Sequence, residues 1–487
     1  MTGGGRWRRR LRRGLLGLGI YTLVCLGYSA IPDRIPEPEL TQVATFKATG
    51  NSLSAGVGRA DISPPEEMWG HLNLFGERAP IRGLATPIYA RALALGEPEG
   101  EDRLLIISCE VTFITRDLRQ AVLGGLARGG RRDVELLLVA THTHAAPGNF
   151  WKGWVGERIC GSFSQPYFDH LVTGAVGAAE QALQNMEPVT VAVGTSRTYH
   201  LVKHHSRVEP TTGERAYCDT RVEAMAFRRT DGTLLGTLVS LPAHPLALMH
   251  KTAGRVAGDY PGELSRLIEA DNPGAVALFL PGALGGARAT SPGGSDGYRG
   301  QPDRFGKVAM QADMLLERIA PVLGGPGRPL QEVASARAVV PLPPIDAHFF
   351  PEAAPFTGIR FLTGPVSWLT NGLLDALFLP DEAIFQVVKV NDTVLLAVPA
   401  DLSTGIGVKL KRWVEAEYVW PLSHANGYDL GYVLDADEYD LSGVIKGGYE
   451  RLMDLCGKQS GPFTMRALFG LAQQVGVGKN LVPRDLP

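Results

Sequence analysis

The tetrad Thr141-His142-Thr143-His144 stands directly after an apolar run, Val134–Ala140, and before Ala145-Ala146-Pro147-Gly148. In extended backbone, residues two apart point to the same face, so the imidazoles of His142 and His144 can converge at the C-terminal edge of a sheet. Convergence of that kind is a metal-site geometry; the alternative is a polar strand end hydrogen-bonded to a neighbouring loop. The pattern returns at Leu234–Leu241, a second apolar run, which ends in Pro242-Ala243-His244-Pro245. Two strand ends that both carry histidine suit zinc, which takes neutral imidazole nitrogens at about 2.0–2.1 Å and usually adds a carboxylate. Two aspartates are candidates. Asp259 precedes Tyr260-Pro261-Gly262-Glu263, where Pro261 and Glu263 suit the first turn of a helix, so Asp259 is either a cap or a catalytic group. Asp401 follows the apolar run 394–398 through Pro399-Ala400, with Ser403 and Thr404 ahead of another helix, and capping is again the alternative.

Other chemistries find less support. Gly293-Gly294-Ser295-Asp296-Gly297 fits the nucleophile-elbow string, but the preceding strand ends near Leu280 and the elbow needs a strand running straight into the turn. Neither a Walker A string nor a Gly-rich dinucleotide fingerprint is present, so no nucleotide cofactor is expected. The formal net charge of -2 hides an asymmetry: six arginines lie within the first thirteen residues, and without them the remainder stands at -8. An acidic body lacks the clustered cations that nucleic acid binding requires.

The elements that must position these residues follow from periodicity. Apolar runs at 104–108, Val134–Ala140, Leu234–Leu241, 275–280 and 394–398 read as buried strands, and helical periodicity falls at 167–183, 262–270, 307–319 and 405–415. The alternation predicts an α/β body whose strand ends meet functional loops, with no repeat visible along the chain. Residues 1–31, an arginine run followed by the uncharged apolar stretch 14–30, read as a signal peptide or signal-anchor, which would make the body exported. Residues 32–52 are Pro-rich and polar and read as a linker; 53–487 read as one domain. Beyond the N-terminal segment four cysteines remain, too few to scaffold a body of this size, so the core must supply most of the stability. The stretch 355–380, rich in Phe, Leu and Trp, reads as core or lid, or as a surface for a membrane or an acyl chain.

A collinear series of motifs resembles the catalytic domain of the neutral, non-lysosomal ceramidases. It runs through Gly56-Val57-Gly58-Arg59-Ala60-Asp61-Ile62-Ser63-Pro64, Tyr89-Ala90-Arg91-Ala92, Thr141 to Gly148, Ala243-His244-Pro245 and Gly258-Asp259-Tyr260-Pro261-Gly262. Val398-Pro399-Ala400-Asp401, Asn426-Gly427-Tyr428, Gly431-Tyr432-Val433 and Gly448-Tyr449-Glu450 continue it. The resemblance implies mixed sheets flanked by helices, without the immunoglobulin-like C-terminal domain of the true ceramidases. It also implies a zinc amidase that cuts ceramide or a related N-acyl lipid into fatty acid and amine, working at a membrane surface. Carried over by motif, His142, His244, Asp401 and Tyr432 would hold Zn²⁺, with Asp401 standing where the family has Glu. His144 and Tyr449 would face the scissile carbonyl, and Asp259 and Ser291 would complete the catalytic set.

The chemistry is consistent with that assignment. An amide is a poor electrophile with a poor leaving group, and zinc can polarise its carbonyl and acidify water. His144 would shuttle a proton to the amine and Tyr449 would hydrogen-bond the developing oxyanion. The chain departs from the family at Asp401, one methylene shorter than Glu, and at Gly285 to Thr290, where the Gly-Asp before Ser291-Pro292 is missing. It departs again at Lys203-His204-His205, where relatives have Asn-Arg-Arg, leaving Arg207 as the substitute cation. Zinc hydrolysis is therefore expected ahead of ceramide specificity, with a catalytically weakened lipid-binding homologue and a zinc esterase as alternatives.

Overall fold

The computed structural model describes residues 35–97, 103–198, 200–204, 218–290, 304–343, 380–440, 450 and 453–483, together with position 19. Three five-stranded mixed sheets form its frame. Each contains the same succession: three antiparallel strands, a helix, and a strand that returns parallel to the third. In the first sheet these are Ser54–Asp61, Tyr89–Gly96, Arg103–Cys109, the helix Arg116–Arg128 and Val134–Ala140. In the second they are Thr190–Arg197, Arg221–Arg228, Leu234–Leu241, the helix Asp259–Asp271 and Val276–Pro281. In the third they are Glu332–Pro341, Glu382–Val390, Thr393–Ala397, the helix Thr404–Trp413 and Tyr418–Leu422. The α/β expectation holds, and the topology repeats although the sequence does not.

Apolar continuity explains the layering. Leu104 and Ile106 point into an interior shared by all three sheets, with Leu137, Phe227, Leu278, Val388 and Trp420. Leu105 and Ile107 point the other way, among Leu118, Val122, Leu171 and Ala175 of two covering helices. A strand buried on both faces needs apolar side chains at every position rather than at alternate ones, as the 104–107 run provides. The helix Gln165–Gln184 packs so close to the first sheet that Gly56 and Gly58 have no room for a side chain: a Cβ would meet the carbonyls of Ala182 and Ala178 at 2.0 and 2.1 Å.

One boundary differs from the sequence reading. Within 32–52, residues Thr41–Thr49 are not a linker but an edge strand of the third sheet, antiparallel to Glu332–Pro341. Phe46 and Ala48 are buried by that pairing. The four cysteines beyond the N-terminal segment, Cys109, Cys160, Cys218 and Cys456, are buried free thiols. No helix among the described residues is long and apolar enough to cross a membrane. The apolar stretch 14–30, apart from position 19, and the stretch 355–380, apart from Pro380, lie outside those residues.

Candidate metal centre

The repeated strand–helix–strand units deliver their chemistry at the C-terminal ends of their parallel strands. His142 follows Val134–Ala140 in a left-handed conformation, φ 67°. Its N–H donates to the Val111 carbonyl at 3.0 Å and its Nδ1 to that of Thr112 at 2.6 Å. His244 follows Leu234–Leu241 and is gripped similarly, Nδ1 donating to the carbonyls of Leu284 at 2.8 Å and Ala287 at 2.9 Å. A backbone carbonyl on Nδ1 fixes the proton there and leaves the Nε2 lone pair for another partner. Asp401 opens the short strand Asp401–Leu402, which pairs in parallel with Tyr432–Val433 so that Asp401 and Tyr432 are register partners. Immediately after it, Ser403 caps the helix Thr404–Trp413 through Ile406 N at 3.2 Å. The cap is thus Ser403 and not Asp401.

These side chains converge. Asp401 Oδ1 lies 3.4 Å from His244 Nε2 and 3.8 Å from His142 Nε2, and the Tyr432 hydroxyl lies 3.2 Å from His244 Nε2. A tetrahedral ion with bonds of about 2.0–2.1 Å needs its ligand atoms about 3.3–3.4 Å apart; the two edges at His244 are close to that length and the His142–Asp401 edge is longer. His144 Nε2 approaches His142 Nε2 at 3.2 Å, and His144 Nδ1 is buried without a hydrogen-bond partner. The sequence reading missed two members of the site, His424 and Tyr428. The His424 ring stacks on His142 at 3.8 Å with its Nε2 2.8 Å from Asp401 Oδ1, and the Tyr428 hydroxyl donates to Asp401 Oδ2 at 2.9 Å. Donor atoms of His142, Asp401 and His424 all lie within 4.8 Å of one another. The missed signal was available: His424 comes two residues after Tyr418–Leu422, a third histidine just past an apolar strand.

Burial sets the electrostatics. It pushes His142 well below the usual imidazole range, with the neighbouring imidazoles of His424, His144 and His244 acting in the same direction against Asp401. It also takes His144 down to about 3, reinforced by His244. For His244, burial acts downward, but hydrogen bonding and charge from Asp401 outweigh it and raise the ring. Burial likewise opposes ionisation of Asp401, yet the surrounding imidazoles, His424 and His142 first, hold its carboxyl well below the carboxylate range. Two imidazoles held toward the neutral form, His142 and His144, beside one ionised carboxylate are donors of the kind zinc takes.

Asp259 is not part of this convergence. Its Oδ2 accepts from Leu248 N at 2.9 Å and its Oδ1 from Tyr260 N at 2.7 Å, while the Tyr260 hydroxyl donates to the Ala243 carbonyl at 2.6 Å. The Asp259-Tyr260 pair therefore grips the chain on both sides of His244. Ser291, Tyr449, His205 and Arg207 lie outside the described residues, as does the 293–297 string. His204 sits in Val202–His204, antiparallel to Ala287–Ala289, with its ring against Gly286, which has φ 80°. An aromatic wall flanks the centre: Phe75 meets His144 edge-on at 5.1 Å, and Phe113 contacts Phe75, Trp151 and Tyr428. A groove of about 680 Å³ opens elsewhere, at the strand beginnings near Val57, Leu235 and Val276. Its arginines, Arg59 and Arg229, are paired with Glu269 and Glu187, and it holds no comparable donor set.

Comparison with known proteins places this fold among relatives. Residues 53–284 match the family described as neutral/alkaline non-lysosomal ceramidase, N-terminal. The neutral ceramidase of Pseudomonas aeruginosa is 23% identical over 202 residues, 40% of this chain and 30% of that protein. That of Mycobacterium tuberculosis is 24% identical over 265 residues, 52% and 38% respectively. The aligned stretches thus span about a third of those relatives. In three dimensions the likeness is broader: the crystal structure of the Pseudomonas aeruginosa neutral ceramidase superposes with a TM-score of 0.69 at 17% identity, covering 90% of this chain and 77% of that one. Residues 53–284 thus match the neutral/alkaline non-lysosomal ceramidase family, and the chain shares the fold of the Pseudomonas aeruginosa neutral ceramidase across nine-tenths of its length.

Proposed function

We propose that this protein is a zinc-dependent hydrolase that cleaves the amide bond of ceramide or a related N-acyl lipid into fatty acid and amine. The observation that carries the reading is the convergence of His142, His244, Asp401 and Tyr432, with Asp401 Oδ1 3.4 and 3.8 Å from the Nε2 atoms of His244 and His142 and the Tyr432 hydroxyl 3.2 Å from His244 Nε2. Zinc, when bound, supplies Lewis acidity toward the amide carbonyl and toward water. The chain supplies the rest. Carbonyls of Thr112, Leu284 and Ala287 keep protons on Nδ1 of His142 and His244 and so present both Nε2 atoms inward. His144, whose Nε2 lies 3.2 Å from His142 Nε2, would be the nearest group able to carry a proton to the departing amine. Phe75, Phe113, Trp151 and Tyr428 limit water on one side of the centre. Export through residues 1–31 and action on a lipid substrate at a membrane surface complete the proposal.

Metal analysis of the purified chain, joined to an N-acyl hydrolysis screen with and without chelator, tests it. About one zinc per chain and chelator-sensitive release of fatty acid are expected. Full activity in a metal-free preparation overturns it. Zinc retained without turnover on amides or esters identifies a binding homologue instead.

A further inference from the structure

We propose that His424 and Tyr428 are positioning residues: together they form a clip that orients the Asp401 carboxylate toward the metal, with Asn426 anchoring the clip. The inference rests on the zinc reading above. Each oxygen of Asp401 meets one donor from this segment, His424 Nε2 at 2.8 Å on Oδ1 and the Tyr428 hydroxyl at 2.9 Å on Oδ2. An ionised carboxylate only accepts hydrogen bonds, so His424 Nε2 must carry the proton in that contact. A protonated nitrogen cannot ligate a cation, and 2.8 Å is a hydrogen-bond length, shorter than the edge of a zinc tetrahedron. His424 therefore acts on the ligand rather than on the metal.

The clip is built to stay in place. His424 and Asn426 both take left-handed backbone, φ 55° and 62°, which non-glycine residues adopt only where the surroundings enforce it. The enforcement comes from the strand Val134–Ala140, which carries His142 at its end. Ala140 N donates to the His424 carbonyl at 3.1 Å and Asn426 N to that of Leu138 at 2.7 Å. The buried Asn426 side chain closes the register, its Oδ1 accepting from Leu138 N at 3.2 Å and Arg119 Nε at 3.1 Å while its Nδ2 donates to Gln386 Oε1 at 2.7 Å. His424 N also donates to the Ala400 carbonyl at 3.1 Å, next to Asp401 itself. One segment thereby fixes the carboxylate of the third sheet against the histidine of the first.

The test uses the full chain with zinc added in competition against a chromophoric chelator, and cobalt in place of zinc as a spectroscopic readout. Removing outer partners of metal ligands commonly costs 10–100-fold in affinity, so His424→Ala and Tyr428→Phe are each expected to weaken zinc by about 10-fold or more. His424→Gln keeps an N–H donor and is expected to recover most of that loss, with the cobalt spectrum of the wild type. If His424→Gln binds as poorly as His424→Ala and its cobalt spectrum changes, His424 is itself a ligand and the clip is refuted. Wild-type affinity in both Tyr428→Phe and His424→Ala also refutes it. A wild-type chain that takes up neither metal overturns the zinc reading and the clip with it, an outcome distinct from the other two. Tyr428 is only partly buried, so Tyr428→Phe keeps the test open should a His424 variant fail to fold.

Discussion

Two buried polar clusters adjoin the helix Thr404–Trp413, and they solve the problem of burying charge differently. Near its C-terminal end, Lys411 Nζ contacts Asp219 Oδ2 at 2.8 Å and Glu223 Oε1 at 2.6 Å, and Arg221 Nε contacts Asp219 Oδ1 at 2.7 Å. Two cations face two carboxylates, and the cluster is closed. Ahead of its first residue, Asp401 faces His142, His244 and His424, and the His142 and His144 Nε2 atoms meet at 3.2 Å. Buried charge is costly unless paired and hydrogen-bonded; the first cluster is balanced by its own cations, and the second would be balanced by the cation proposed for it. The helix joins the two: Asp219 N donates to Thr404 Oγ1 at 2.9 Å, three residues past Asp401.

The sharpest way to break the contrast is to remove a ligand. His142→Ala is expected to reduce zinc binding and N-acyl hydrolysis to background, as chelation of the wild type should, while the metal-free protein stays folded by circular dichroism. A folded His142→Ala chain with normal zinc content would show that the open cluster is not a metal centre. Next in size, Lys411→Met leaves Asp219 and Glu223 without their shared cation, and breaking one side of a buried pair costs about 3–5 kcal/mol. Urea denaturation should register that loss even in the absence of metal, where His142→Ala should cost less. Equal losses in the two metal-free variants would erase the distinction between closed and open clusters.

Saturating zinc should then stabilise the wild type by about 2.7 kcal/mol at a free concentration one hundred times Kd. Thermal melts should show the gain in the Lys411→Met chain and not in His142→Ala. Per pH unit, the smallest expected effect is that of titration in the closed cluster. Burial lifts Glu223 to about 7 against the pull of Lys411, whereas an unfolded Glu titrates near 4.5. Between those values the folded chain holds a proton that the unfolded chain has released, so Glu223 makes stability fall as pH rises, by at most about 1.4 kcal/mol per pH unit. Glu223→Gln should flatten that part of the melting-temperature profile between pH 4.5 and 7; an unchanged profile would place the titration elsewhere.

Much of the centre was legible because its markers are local. His142, His244 and Asp401 each stand just past an apolar run, where backbone periodicity and turn residues are written within a few positions of one another. His424 obeys the same rule but was hidden behind Asn426-Gly427-Tyr428, which drew attention to the family motif instead of the strand end before it. Asp259 reads as either cap or catalyst because a carboxylate at a helix start serves both purposes; only its two backbone partners, Leu248 and Tyr260, separate them. The strand Thr41–Thr49 looked like a linker because its partner lies far along the chain: Thr41 Oγ1 donates to the Val339 carbonyl across 298 residues.

By itself the sequence determined that the runs 104–108, Val134–Ala140, Leu234–Leu241, 275–280 and 394–398 are buried strands, that 167–183, 262–270, 307–319 and 405–415 are helical, and that histidines and an aspartate stand at strand ends, since all of these follow from spacing within one element. Tertiary structure alone decided that three strand–helix–strand units share one topology, that their ends meet at a single centre, and that His424 and Tyr428 hold the carboxylate of Asp401. The reason is physical. Periodicity tells a side chain which face to take, but the distance between two side chains hundreds of residues apart is fixed only when the sheets that carry them pack into a common core.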